Sequence, residues 1–261
     1  MTTATSRTVL ITGATSGIGL ATAERLAAAG HRVHICARDA ARVDATVKQL
    51  RGAGSDVDGS AADVRSADDI RAVVAAAVDR FGPIEVLVNN AGRPGGGVTA
   101  DITDELWFDV IDTNLNSVFR VTREVLTAGG MLELPWGRLI NIASTGGKQG
   151  VIFGSPYSAS KHGVVGFTKA LGLELAKTGI TVNAVCPGYV ETPMAEHVRE
   201  GYAETWSITT DEVLDRFNTK IPLGRYTTPQ EVAGFVEYLT GEAADPITAQ
   251  AVNICGGLGN Y

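Results

Sequence analysis

Tyr157 and Lys161 stand one helical turn apart in the stretch YSASK, a spacing at which two side chains leave the same face of a helix. Hydride transfer to a ketone needs a proton, or equivalent stabilisation, at the oxygen that becomes an alkoxide. A free phenol, with a pKa of about 10, is a reluctant donor. A nearby ammonium favours the phenolate and lowers that pKa, so the pair offers a chemistry that neither residue has alone. Ser144, in NIAST, follows an apolar run, where its hydroxyl can bond the same carbonyl. Asn114, in DTNLNSVF, lies within a helical pattern. A polar side chain there can hold water or distort the helical ladder and connect Lys161 to solvent.

A second constellation comes earlier. TVLIT runs into TGATSGIGLA, which reads Thr12-Gly13-x-x-x-Gly17-x-Gly19 and then a helix. Glycines permit a tight turn and close backbone approach, and the helix start offers unpaired N–H groups and a positive dipole end to a pyrophosphate. Gly13, Thr15, Ser16, Gly17, Ile18 and Gly19 are the candidate contacts, in a spacing different from the G-x-G-x-x-G fingerprint. Folds that bind NAD usually carry an acidic residue at the end of the second strand. Here that strand ends in CAR. Arg38 suits a 2′-phosphate through paired hydrogen bonds, so NADPH is expected, with the adjacent Asp39 leaving NADH as the alternative. Asp63 and Val64, in AADV, mark the end of a third strand, where the carboxylate can accept from an adenine amino group. Asn90, Ala91 and Gly92, in NNAG, end a fourth, their small side chains letting the backbone approach a ribose.

The elements that must position these groups are legible as short β-branched runs: residues 8–12, 32–36, 84–89, 138–143 and 180–185. Such runs mark strands covered on both faces. Ile70, Val73, Val74, Ala77, Val78 and Phe81 trace one buried helical stripe. Alternating strands and helices predict an α/β fold with a doubly wound parallel sheet, in one domain over 1–261. Residues 188–225 interrupt the alternation as a helical insertion after a strand's C-terminal end, where such folds bind ligands. They read as a substrate lid or as a helical pair packed on the body. Met194, Tyr202 and Trp206 lie in it.

The chain has 261 residues, 20% of them charged, with a net charge of −7. That balance, without a basic stripe, argues against nucleic acid. No apolar run reaches the roughly 20 residues of a membrane span. Cys36, Cys186 and Cys255 are odd in number and without C-x-x-C spacing, and His31, His34, His162 and His197 are scattered. Neither pattern points to a disulfide framework or a metal, and a reducing cytoplasm fits.

Together, Thr12-Gly13-x-x-x-Gly17-x-Gly19, NNAG, Asn114, Ser144 and Tyr157-x-x-x-Lys161 resemble the pattern of the short-chain dehydrogenase/reductase family over nearly the whole chain. The resemblance implies a Rossmann-type fold and a catalytic tetrad. Tyr157 is the general acid in reduction, Lys161 lowers its pKa and holds the ribose, Ser144 orients the carbonyl, and Asn114 supports a proton relay. It also places Pro187, Gly188, Val190 and Thr192 against the nicotinamide. NNAGRPGGG, NIASTGGKQGV, CPGYVETPM and NICGGLGNY are similar to ketoreductases of bacterial aromatic polyketide pathways. Those enzymes reduce one carbonyl, usually at the ninth carbon, of a poly-β-ketone held on an acyl carrier protein. Pro94, Gly95 and Gly96 then form a flexible wall associated with the face of reduction, or else an ordinary surface loop. Arg65 and Arg93 form a basic rim for the acidic carrier, and a homotetramer is implied. A 3-oxoacyl carrier-protein reductase, a small secondary-alcohol dehydrogenase and a catalytically silent nucleotide sensor remain the alternatives.

Overall fold

Seven parallel strands form one sheet at the centre of the fold. The computed structural model describes residues 6–261, and among them the strands are β1 (Thr8–Thr12), β2 (Arg32–Ala37), β3 (Val57–Ala61), β4 (Val86–Asn89), β5 (Gly137–Ile142), β6 (Ile180–Pro187) and β7 (Ala251–Ile254), in the order β3-β2-β1-β4-β5-β6-β7. β1 is buried along its whole length, and its alternation feeds two cores. Val9 and Ile11 pack with Leu26, Val43, Val232 and Val236 on one face. Leu10 packs with Ile70, Val74, Val121 and Leu171 on the other. Burying a side chain of this size contributes roughly 1.5–3 kcal/mol, so helices on both faces are what hold a sheet with no polar side.

Those helices are α1 (Gly17–Ala28), α2 (Ala40–Gly52), α3 (Ala67–Phe81), α4 (Asp104–Ile111), α5 (Ser117–Leu126), α6 (Ser155–Glu174), α7 (Pro193–Trp206), α8 (Thr210–Asn218) and α9 (Pro229–Thr240). The stripe expected at 70–81 lies in α3, capped by Ser66, whose side chain accepts from Asp69 N. Between α4 and α5 the chain widens into a π turn over Asp112–Asn116, with Asn114 at its centre and fully buried. This is the ladder distortion that the mid-helix asparagine led us to expect, and π turns concentrate at functional sites. No helix among the described residues is long and apolar enough to cross a membrane.

The insertion at 188–225 is the hairpin α7–α8, directly after β6. A bridge between Val190 and Thr227 closes its base. Thr192 caps α7 and a Thr209–Glu212 capping box starts α8, contacts worth about 1 kcal/mol each. Its apolar side chains form a small core of their own, Val213, Phe217, Ile221 and Tyr226, to which Tyr189, Tyr202 and Trp206 add their rings.

Candidate active site

In open parallel sheets the ligand crevice lies beyond the C-terminal strand ends, where the strand order reverses. Here the chain winds outward from β1 to β3, returns to β4 beside β1, and winds the other way. The glycine-rich loop and NNAG therefore flank the reversal. Gly13 and Gly17 have φ of 66° and 54°, the left-handed region that favours glycine. A Cβ on Gly19 would lie 2.3 Å from Asn90 Nδ2 and 2.4 Å from the Gly13 carbonyl oxygen. The loop is thus packed to backbone distance, and Ser16 precedes α1 without a side-chain cap. The first-turn N–H groups are left to a ligand, which fits a pyrophosphate.

The second asparagine of NNAG braces this loop. Asn90 Nδ2 donates to Thr12 O at 2.9 Å and Gly13 O at 3.0 Å, while Thr12 Oγ1 accepts from Asn90 N and Ala91 N, both at 3.0 Å. Its side chain therefore holds the cradle, which leaves the backbone of Asn90–Gly92 to face a ribose. Arg38 directly follows β2 and makes no ion pair among the described residues. Asp39, the carboxylate that kept NADH open, caps α2 by accepting from Arg42 N at 3.1 Å. Arg42 reaches back to Thr15 O at 3.0 Å. It adds a second guanidinium beside the loop, which the sequence reading did not single out. The group at this corner best matched by two arginines is a phosphate.

The adenine reading of Asp63 meets a competitor. Its carboxylate accepts from Arg65 N at 2.9 Å and pairs with the Arg65 guanidinium at 2.6 Å, which holds it below its ordinary pKa. Val64 beside it is buried. Arg65 and Arg93 also both pair with Asp109. The two arginines thus form a neutralised cluster with Asp63 and Asp109 rather than the open basic rim expected. Val190 is buried near the lid base, Gly188 packs on Cys255, and Thr192 lies beside Gly17, whose Cβ would stand 3.1 Å from Thr192 Cγ2. The segment after β6 and the phosphate loop therefore meet, with Pro187 at the end of the strand between them.

Tyr157 and Lys161 do share a face of α6, with Lys161 Nζ 5.9 Å from the Tyr157 ring centre. Lys161 is nearly buried and donates to Ile142 O at 2.8 Å. Burial lowers its pKa from 10.5 to about 8. Burial also pushes the Tyr157 phenol above its ordinary value, and the Ser144 hydroxyl partly offsets this. Ser144 Oγ accepts from Gly146 N at 3.0 Å. That contact leaves the hydroxyl its proton and a second lone pair, with which it meets the Tyr157 phenol and can reach a carbonyl.

Asn114 accepts from Arg93 N at 2.8 Å, donates to Arg93 O at 3.0 Å, and donates to Ser160 Oγ at 3.2 Å. Ser160 in turn donates to Tyr157 O at 2.7 Å. Asn114 therefore holds the Gly92–Arg93 backbone against the Tyr157 turn through Ser160, a middle residue of YSASK that the Tyr–Lys spacing did not flag. A Cβ on Gly92 would sit 3.4 Å from Asn114 Oδ1 and 3.7 Å from Lys161 Nζ, so only this glycine separates the two.

The Pro94–Gly96 stretch, expected to be a flexible wall or an ordinary surface loop, is closely packed. A Cβ on Gly95 would stand 2.2 Å from Val110 Cγ2 and one on Gly96 1.9 Å from Phe153 O, to which Gly97 N donates at 2.7 Å. It is a clamped wall. Of the lid candidates, Met194 is exposed. Tyr202 packs against Trp206 with tilted rings 4.7 Å apart, and its hydroxyl donates to Ile152 O at 3.4 Å, joining the insertion to the loop before α6. Trp206 lies 6.0 Å from Phe217 in the lid's own core, where packing occupies much of its ring.

Residues 7–203 match the model of the short chain dehydrogenase family. Among curated proteins the chain is 66% identical over 261 residues, all of both chains, to "Monensin polyketide synthase putative ketoacyl reductase" of Streptomyces virginiae. It is 40% identical over 260 residues, 99% of each chain, to a 3-oxoacyl-[acyl-carrier-protein] reductase of Synechocystis sp.. Among solved structures, an actinorhodin polyketide ketoreductase variant crystallised with NADPH superposes with a TM-score of 0.96, at 63% identity and 98% coverage of each chain.

Proposed function

The chain belongs to the short-chain dehydrogenase family, and from that premise we propose that it is an NADPH-dependent ketoreductase of polyketide biosynthesis, reducing one carbonyl of an aromatic polyketide intermediate, at its ninth carbon, while an acyl carrier protein holds the chain. The polyketide ketoreductase relatives and the NADPH-bound structural neighbour support the enzyme class and cofactor. The observation that carries the reading is a pair of hydroxyls, Ser144 just beyond β5 and Tyr157 in the first turn of α6. Ser144 accepts from Gly146 N and keeps its own proton to donate, and burial favours the protonated form of Tyr157.

When bound, the cofactor supplies a hydride to the carbonyl carbon. Gly13–Gly19 and the start of α1 hold its pyrophosphate, Arg38 and Arg42 its 2′-phosphate, and Val190 and Thr192 the carboxamide end. Ser144 donates to the substrate oxygen and orients it, and Tyr157 delivers the proton as charge develops there. The Lys161 ammonium stabilises the phenolate left on Tyr157 and holds the ribose, and Asn114 keeps the Gly92–Arg93 backbone in place beside it. Pro94–Gly96 and the α7–α8 hairpin, with Met194 and Tyr202, bound the substrate. Arg65 and Arg93 receive the carrier by exchanging Asp109 for one of its acidic side chains, and their pairing with a carboxylate in the free protein supports that role. A homotetramer belongs to the same proposal, supported by the exposed rings of Phe108 on α4 and Phe119 on α5. So does a cytoplasmic setting, in keeping with three free, buried cysteines.

The test compares NADPH and NADH oxidation with a decalone and with an acetoacetyl thioester. NADPH-dependent turnover that favours the bicyclic ketone is expected. Preference for the linear thioester would assign the chain to 3-oxoacyl reduction, and tight NADPH binding with no turnover of either would make it a sensor.

A further inference from the structure

We propose that Lys148 and Tyr261 form a clasp that sets the orientation of the Ser144 hydroxyl, which makes both positioning residues for carbonyl reduction; the inference rests on the ketoreductase reading. Ser144 starts a single 3-10 turn over Thr145–Gly147, closed by Gly147 N to Ser144 O at 2.9 Å and Lys148 N to Thr145 O at 3.0 Å. Its hydroxyl accepts from the Gly146 N–H of that turn and meets the Tyr157 phenol, so a shift of the turn moves one donor against the other.

Two contacts from distant sequence fix the turn. The Tyr261 hydroxyl donates to Thr145 O at 3.2 Å. Lys148 Nζ donates to Ala251 O at 3.1 Å, Asn253 Oδ1 at 3.0 Å and Tyr261 O at 3.1 Å, which engages all three ammonium donors. The ammonium also lies 5.1 Å from the Tyr261 ring centre. Tyr261 is itself seated: a Cβ on Gly259 would meet its hydroxyl at 2.7 Å, and Asn253 Nδ2 donates to Gly259 O at 2.9 Å. Both ends of the turn are thereby referenced to β7 and the segment after it. On its other side, a Cβ on Gly146 would stand 3.2 Å from Tyr157 Cε1. The clasp therefore holds the turn that aims Ser144 against the ring of the second donor. Displacing a reacting group by about 1 Å can cost on the order of a hundredfold in rate.

The experiment measures kcat and KM for a bicyclic ketone, NADPH affinity by fluorescence, and hydrogen exchange over residues 144–149, in wild type, Tyr261→Phe, Lys148→Met and Lys148→Arg. We expect Tyr261→Phe and Lys148→Met to lower kcat about tenfold and to speed exchange in the turn. NADPH affinity should stay unchanged, and Lys148→Arg should recover part of the rate. Unchanged kcat and exchange in Tyr261→Phe and Lys148→Met would overturn the clasp, as would a loss confined to NADPH affinity. Absence of ketone turnover in the wild type would overturn the ketoreductase reading instead, because exchange reports the clasp without turnover.

Discussion

Burial acts on Tyr157 and Lys161 in opposite senses. It favours the neutral form of each, so the phenol rises and the ammonium falls. Tyr157 thus keeps its proton through neutral pH, as a general acid must. Lys161, with a pKa of about 8 in place of 10.5, is charged below about pH 8 and neutral above it. Reduction that depends on the ammonium should therefore hold steady up to about pH 8 and fall beyond it. In Lys161→Arg, whose guanidinium stays charged, the remaining activity should show no such fall. A wild-type kcat/KM profile flat to pH 10 would contradict this. The shared face of Tyr157 and Lys161 and the strand-end place of Ser144 were legible because spacing and strand-end position are properties of sequence. Ser160 and Arg42 were not, since their roles come from the partners that folding brings to them: Asn114, 46 residues from Ser160, and Thr15, 27 residues from Arg42.

The elements position the site with little freedom. Phe153 has φ of 60°, a left-handed conformation that is uncommon for a bulky residue. Its carbonyl accepts from Gly97 N and closes on Gly96. Gly96→Ala drives a Cβ into that carbonyl and should destabilise the protein by roughly 1–3 kcal/mol, read as a lower melting temperature together with altered turnover of a bulky ketone. An unchanged melting temperature would show that the wall yields. Sequence gave no sign of this clamp, because Pro-Gly-Gly-Gly reads the same whether open or packed. The short β-branched runs announced five strands. β3, VDGSA, and β7, AVNI, were harder. Asp, Gly and Ser disfavour strands, so β3 was placed only by its end, near AADV. The four residues of β7 offer no period, and it went unread. The lid was legible as a helical interruption, but its private core was not, since Tyr202 and Trp206 are equally suited to line a pocket or fill a cluster.

At the scale of the whole molecule, a net charge of −7 makes an acidic carrier an unlikely visitor unless a local patch receives it. The patch formed by Arg65 and Arg93 is held closed by Asp109. Asp109→Asn should lower KM for a carrier-linked substrate, Arg93→Glu should raise it, and both should leave a free ketone little affected. Equal effects on the two substrates would remove the docking role. The account as a whole stands on Tyr157 protonating a ketone that NADPH reduces. The most direct measurement is steady-state reduction of a decalone by wild type and Tyr157→Phe, alongside NADPH affinity for each. Loss of a general acid should cost at least a hundredfold in kcat, with NADPH affinity kept within a few-fold. A Tyr157→Phe protein that binds NADPH and retains more than about a tenth of wild-type turnover would contradict the assignment.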